Sequence, residues 1–290
     1  MYLEQYLKCI QSFYPSLNIE SVQWNHFGEN NDILFLNKKW VFRFPKHEEA
    51  KNNLQTEYEQ LLYINPYISL PIPEPVFINT DTNILGQAFF GYPLIPGIPL
   101  YRETVQSLSP SVEETLIHDL ATFLYELHSI PVVGAPGKVI ANNDAHHFWT
   151  NMFERITGTL FSYIRVEKQE EIVNHFTVYL NNQSNFSFKP TIIHGDFANS
   201  NILFDEQEQQ LSGVIDFGKS YIGDPAIDFA GLYKRYGVDL VKRIASFYPG
   251  IEEMMPRIQF YAGAFSLQRA LHGFHTQNRE ILSNSLKEYV

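Results

Sequence analysis

The chain reads as an α+β protein in two lobes: a small N-terminal lobe with a five-stranded antiparallel sheet and one inserted helix, and a larger, mainly helical C-terminal lobe. Three observations predict this. Between Ser21 and Tyr92, short β-branched and aromatic runs recur between turn residues, as strands do. Beyond Ser111, apolar residues mostly recur at helical spacing. Between the two patterns lies Pro96-Gly97-Ile98-Pro99, which suits neither and reads as a hinge. The expected division is therefore 1–95, a hinge at 96–99, and 100–290. A chain of 290 residues is long enough for two lobes, each with its own core.

The first element is a helix over 2–14, with Leu3, Tyr6, Leu7 and Ile10 on one face and Pro15 as its stop. Strands follow at Val22-Gln23-Trp24, at Ile33-Leu34-Phe35-Leu36 and, across the Asn37-Lys38-Lys39 turn, at Trp40-Val41-Phe42-Arg43-Phe44. Leu54, Tyr58, Leu61 and Leu62 then predict a helix over 49–64. Pro71, Pro73 and Pro75 exclude helix and announce an extended segment. Val76-Phe77-Ile78 and Gln87-Ala88-Phe89-Phe90-Gly91-Tyr92 complete the five strands. Past the hinge, Ser111-Val112-Glu113-Glu114 reads as a capping box opening a helix to about Leu127. Further helices are expected over 145–164, 168–182, 225–233, 238–248, 251–273 and 278–288, with short strands embedded at 190–193, 202–204 and 210–215.

Composition narrows the classes of function. Lys and Arg number 21 against 32 Asp and Glu, a net charge of −11, which disfavours nucleic acid and anionic membrane and favours a cationic partner. Cys9 is the only cysteine, so no disulfide can form within the chain and a reducing compartment is expected. The start, Tyr2-Leu3-Glu4-Gln5-Tyr6-Leu7-Lys8, lacks the apolar core of a signal peptide, and no apolar run is long enough to span a bilayer. A cytoplasmic monomer or weak dimer is expected.

The chemistry concentrates in His194-Gly195-Asp196-Phe197-Ala198-Asn199-Ser200-Asn201 and, downstream, Ile215-Asp216-Phe217-Gly218. Asn201 lies five residues after Asp196, and Asp216 twenty after it. Kinase-type phosphoryl transfer needs one Asp to orient and deprotonate the attacking hydroxyl, and an Asn and a second Asp to hold the magnesium that bridges the phosphates. Magnesium is a hard cation and takes such oxygen donors. Each element alone could be an ordinary turn. All three in order, each at a strand edge, point to phosphoryl transfer. His194 reads as a structural pin and not a proton carrier.

A nucleotide needs its own contacts. Phe27-Gly28-Glu29-Asn30-Asn31-Asp32, between the first two strands, offers Gly28 and Asn30 for a turn whose amides approach phosphate, although such a turn is also an ordinary hairpin. Arg43 on the third strand and Glu57 on the following helix form the expected cation–carboxylate pair for the α- and β-phosphates; Lys46 is near enough to share the task. Tyr92, Leu94 and Ile95 should enclose the purine, with Tyr92 at the back of the pocket.

With these residues placed, the chain resembles the aminoglycoside phosphotransferase family of the protein-kinase-like superfamily, and is most similar to its 2''-phosphotransferases. The likeness rests on Trp40-Val41-Phe42-Arg43-Phe44-Pro45-Lys46, Ile193-His194-Gly195-Asp196-Phe197, Gly213-Val214-Ile215-Asp216-Phe217-Gly218 and Gly223-Asp224-Pro225-Ala226-Ile227-Asp228-Phe229. It implies a bilobal kinase-like fold and Mg²⁺-dependent transfer from ATP or GTP to a small-molecule hydroxyl, with Asp196 as base and Asn201 and Asp216 as magnesium ligands. A cationic aminoglycoside is the implied acceptor, and Asp228, Glu252 and Glu253 are candidates to bind it, although Asp224 and Asp228 read first as helix-cap or loop-bracing residues. Lys234 and Arg235 stand where aminoglycoside-binding relatives are often acidic, so a macrolide or a choline-like amino alcohol stays open as the acceptor. A nucleotide-binding pseudokinase is a third reading, opposed by the presence of Asp196, Asn201 and Asp216.

Overall fold

The sheet of the N-terminal lobe is built by period-two alternation. A computed structural model describes residues 2–26, 28–82 and 84–290. Its first sheet contains β1 (Val22–Asn25), β2 (Asn31–Leu36), β3 (Trp40–Pro45), β4 (Phe77–Asn79) and β5 (Phe89–Pro93) in the order β1-β2-β3-β5-β4, every pair antiparallel. Leu34, Leu36, Phe42 and Phe44 turn to one face and meet Tyr6 and Ile10 of α1 (Tyr2–Phe13). Tyr6 stacks on Phe44 with ring centroids 4.2 Å apart and donates its hydroxyl to Asp32 at 2.9 Å. Val41 and Arg43 have the opposite parity, so they point to the other face. Register carries this across the sheet: Val41 lies opposite Tyr92 and Arg43 opposite Phe90. These four residues thus share the face that looks toward α2 (Glu48–Ile64) and the rest of the molecule. The five strands and the inserted helix match the sequence expectation, with shifts of one or two residues at the ends; the last strand, for instance, begins at Phe89 rather than Gln87.

The second part is mainly helical. It comprises α3 (Arg102–Ser107), α4 (Pro110–Ser129), α5 (Asn142–Leu160), α6 (Val166–Leu180), α7 (Ala226–Tyr236), α8 (Val238–Ile244), α9 (Ile251–His275) and α10 (Arg279–Leu286). Buried residues of α9 such as Ile258, Phe260 and Tyr261 pack into the large core. Trp149, Phe176 and Tyr179 gather around Phe260 and Tyr261, and the Tyr179 and Phe260 rings lie parallel at 3.5 Å. These aromatics are core. No helix among the described residues is long and apolar enough to cross a membrane.

Two small sheets carry the catalytic segments. β6 (Ile98–Pro99), β8 (Ile202–Asp205) and β9 (Gln210–Val214) form one, and β7 (Thr191–Ile193) pairs with β10 (Tyr221–Gly223) in the other. β6, β10 and α3 were not expected from sequence, because two, three and six residues are too few to show a period. The start of α4 also differs. Ser109 caps it by accepting from the Val112 N–H, with Pro110 in the first turn, so the Ser111 capping box does not form. Proline in the first turn costs no hydrogen bond and presets φ, which favours the earlier start.

Candidate active site

The catalytic segment hangs from one buried carboxylate. Asp228, in the first turn of α7, is fully buried; its Oδ2 accepts the His194 N–H and its Oδ1 the Gly195 N–H, both at 2.8 Å. His128 of α4 backs it, with Nε2 3.1 Å from Oδ2, and Tyr248 lies 3.0 Å from the other ring nitrogen. A carboxylate accepts, so His128 Nε2 carries the hydrogen and Nδ1 takes the Tyr248 hydroxyl. The substrate expectation for Asp228 is therefore corrected: both oxygens are committed to the loop, and no acceptor can reach a group with no exposed surface. His194 is a pin, as read from sequence. It is fully buried, its Nε2 donates to the Ile215 carbonyl at 3.0 Å, and its Nδ1 accepts from Asp196 N. It thus ties the turn carrying Asp196 to the strand end carrying Asp216.

Asp196 and Asn201 are set by the same turn. Asn201 Nδ2 donates to the Asp196 carbonyl at 2.9 Å, and Asn201 lines the same cleft as Asp196. Asp216 sits at φ 65, a left-handed conformation uncommon outside glycine. Its Oδ1 lies 3.1 Å from Arg43 Nη2, while Arg43 Nη1 binds Glu57. The expected Arg43–Glu57 pair is thus a triad reaching Asp216, with the guanidinium also over the Phe90 ring at 5.5 Å. Gly218 leaves room for it: a Cβ there would lie 3.2 Å from Glu57 Oε2 and 3.5 Å from Asp216 Oδ1.

Charge in the triad is unevenly held. Burial pushes the Glu57 carboxyl up to about 7 despite Arg43 beside it. Burial also opposes the Asp216 carboxylate, yet the positive charge and hydrogen bond of Arg43, with Lys219 nearby, outweigh it and hold Asp216 below its ordinary value. Asp216 is therefore held as a carboxylate, and it lines the same cleft as Asn201. An amide oxygen and an ionised carboxylate suit Mg²⁺, which keeps several waters and takes phosphate oxygens for the rest. Among the described residues no group of three His, Cys, Asp or Glu side chains could cage a metal by itself.

These groups line one cleft of about 520 Å³ between the two lobes. Asp196, Asn201 and Asp216 line it together with Gly28, Asn30, Arg43, Glu57, Tyr92, Leu94 and Ile95. Phe27 lies outside the described residues. The turn at Gly28 and Asn30 is held by Lys46, whose Nζ donates to the Gly28 carbonyl at 2.6 Å and whose N–H donates to the Asn30 carbonyl at 2.9 Å. Lys46 does not line the cleft, so it does not share the role of Arg43. Tyr92 is buried at the back, as expected. The Leu94 N–H is committed within the protein, bonding the Lys39 carbonyl at 2.8 Å.

Glu252 and Glu253 stand apart. They are exposed on the first turn of α9 and do not line the cleft. Sequence reasoning also missed His128, Tyr248 and Lys219. The first two had no signal beyond helical position. Lys219 directly follows the Asp216-Phe217-Gly218 motif, so it could have been found; its Nζ donates to Asp196 Oδ2 at 2.9 Å.

Comparison with known proteins agrees with this geometry. A solved structure of the GDP and kanamycin complex of APH(2")-IIia superposes with a TM-score of 0.88 over 97% of this chain and 96% of that one, at 23% identity, which shows the shared fold. An Escherichia coli aminoglycoside 3'-phosphotransferase is 29% identical over 227 residues, covering 75% of this chain and 78% of its own. Acyl-CoA dehydrogenase family member 10 of Mus musculus is 22% identical over 241 residues, or 79% of this chain, yet this chain spans only 21% of that relative's length. The model of the phosphotransferase enzyme family matches residues 26–260, from just after the first strand into α9, and the chain belongs to that family.

Proposed function

We propose that this protein transfers the γ-phosphoryl group of ATP or GTP to a hydroxyl of a small molecule, with an aminoglycoside as the acceptor. The observation that carries the reading is the convergence of Asp196, Asn201, Asp216 and the Arg43–Glu57 pair on one cleft. In this reading residues 1–95 bind the nucleotide and 100–290 carry catalysis. The hinge is 96–99, whose last two residues already pair with β8. The acidic balance of the chain suits a cationic acceptor. The relative that is 29% identical is an aminoglycoside 3'-phosphotransferase, and the APH(2")-IIia structure holds GDP and kanamycin.

Each residue has a task. Arg43, braced by Glu57, binds the α- and β-phosphates with a planar fork. The turn at Gly28 and Asn30 covers the phosphates, while Leu94, Ile95 and Tyr92 enclose the purine. Asn201 and Asp216 would hold Mg²⁺, which when bound neutralises charge on the β- and γ-phosphates. The Asp196 carboxylate accepts the proton of the acceptor hydroxyl. The acceptor oxygen bonds to the γ-phosphorus as the bond to the bridging oxygen breaks, and that electron pair leaves with the nucleoside diphosphate. Positioning and charge neutralisation supply most of the rate.

The test is a panel of kanamycin, a macrolide and choline, each with ATP and with GTP, read by formation of the phosphorylated acceptor. Kanamycin turnover that disappears in Asp196→Ala is the expected result. Turnover of the macrolide or choline alone would move the acceptor class. Equal background turnover by wild type and Asp196→Ala on all three would remove the kinase reading.

A further inference from the structure

Lys219 makes a contact that the reaction scheme above leaves unused. Among the described residues it is the only side chain bonded to the Asp196 carboxylate: Nζ reaches Oδ2 at 2.9 Å, and Oδ1 has no hydrogen-bond partner. The lysine lines the cleft beside Asp196 and Asp216. Its backbone is fixed on two sides. Gly195, at φ 76, has no room for a Cβ, which would come within 2.2 Å of the Lys219 carbonyl oxygen, so the two turns pack backbone on backbone. On the other side Gln60 of α2 donates to the Ser220 carbonyl at 2.9 Å, and Ser220 N–H closes the turn onto the Phe217 carbonyl. A long, flexible side chain thus starts from a rigid base one turn away from the carboxylate it meets.

The geometry points to Lys219 as a positioning residue for Asp196. By occupying Oδ2 it selects one carboxylate orientation and leaves Oδ1 toward the space where the acceptor hydroxyl must lie. This rests on the phosphoryl-transfer reading and adds to it a residue acting through the base. Stability does not explain the contact, since the Lys219 side chain is 65% exposed and that of Asp196 38%, and exposed pairs contribute little. Nucleotide anchoring does not explain it either: the cation of the triad is Arg43, whereas Lys219 binds the base. As the acceptor oxygen bonds to phosphorus and the bridging bond breaks, the proton passes to Oδ1, with Oδ2 held throughout by the ammonium.

The test compares wild type with Lys219→Met and Lys219→Arg in two measurements. Crystal structures of the three proteins should show the Asp196 carboxylate rotated away in Lys219→Met and kept in Lys219→Arg; an unchanged Asp196 in the Met variant overturns the proposal, whether or not an acceptor is known. With kanamycin and GTP, Lys219→Met should lower kcat about 10- to 100-fold, as misplacement of a catalytic group does, with KM for GTP within about twofold and most activity restored by Lys219→Arg. An unchanged kcat in Lys219→Met, or an Arg variant no better than Met, overturns it as well. Absence of wild-type turnover with every acceptor would defeat the phosphoryl-transfer reading, and the crystallographic comparison would still decide the role of Lys219.

Discussion

Two turns face each other across the cleft and are held in opposite ways. The turn from His194 to Asn201 is fixed from beneath by Asp228, fully buried and bonded to two consecutive backbone N–H groups, with His128 and Tyr248 behind it. The turn at Gly28 and Asn30 is held largely by the partly exposed Lys46 side chain reaching its backbone carbonyls. The difference separates two requirements. Groups that react need a fixed place, and a buried polar network supplies it because every alternative leaves a charge unpaired in the core. A loop that covers phosphate must admit and release a ligand, and an accessible lysine permits that.

The comparison can be broken at several points. The largest effect should come from the reacting group: Asp196→Asn is expected to lower kcat about 10³-fold, with GDP affinity measured by calorimetry within about twofold. If GDP affinity fell in parallel, Asp196 would belong to nucleotide binding. Next is the anchor. Asp228→Ala should lose about 3–5 kcal/mol of stability in denaturant unfolding, the cost of breaking a buried charged network. A stable variant with a raised acceptor KM would instead make Asp228 a substrate ligand.

The triad between the turns predicts opposite responses to pH. Glu57 has its folded value raised to about 7, so its stabilising contribution is full below about pH 4 and is lost as pH rises through 7. The stability of wild type relative to Glu57→Gln should therefore fall across that window. Asp216 is lowered, so its contribution is present above about pH 4 and lost on further acidification. Relative to Asp216→Asn, wild type should lose stability only at the acid end. Unfolding midpoints measured from pH 3 to 8 check both signs, and parallel profiles would show that the triad is not divided in this way. The smallest effect belongs to the phosphate turn: Lys46→Ala should raise the nucleotide KM a few-fold and cost at most about 1 kcal/mol, as partly exposed pairs do. A loss as large as that of Asp228→Ala would erase the contrast between the turns.

How much of this was legible in the chain depends on the range of the interaction. Asp196, Asn201 and Asp216 could be picked out, and are found lining one cleft, because a stretch of about twenty residues carries them at a spacing that the proposed chemistry requires. Arg43 and Glu57 were legible as a pair because strand parity and helix order are local properties. The link from Arg43 to Asp216 spans 173 residues and left no local signal. Asp228 was open to both readings, loop brace and acceptor ligand, for the same reason: a carboxylate in the first turn of a helix looks alike in sequence whether it faces solvent or lies fully buried under a loop. Glu252 and Glu253 were chosen for charge, and charge alone does not say which way a helix turn faces.

The sequence by itself determined the fold class, most of the strand and helix order, and that Asp196, Asn201 and Asp216 belong together as a motif. Periodicity and motif spacing are written along the chain, and solvent and backbone geometry read them the same way in any context. Only the tertiary structure decided that Arg43 reaches two carboxylates, that Asp228 lies buried under the loop and bonds its backbone, and that Lys219 bonds the Asp196 carboxylate. Those outcomes depend on which distant groups share a buried or confined space, and burial sets both the cost of an unpaired charge and the partner that relieves it.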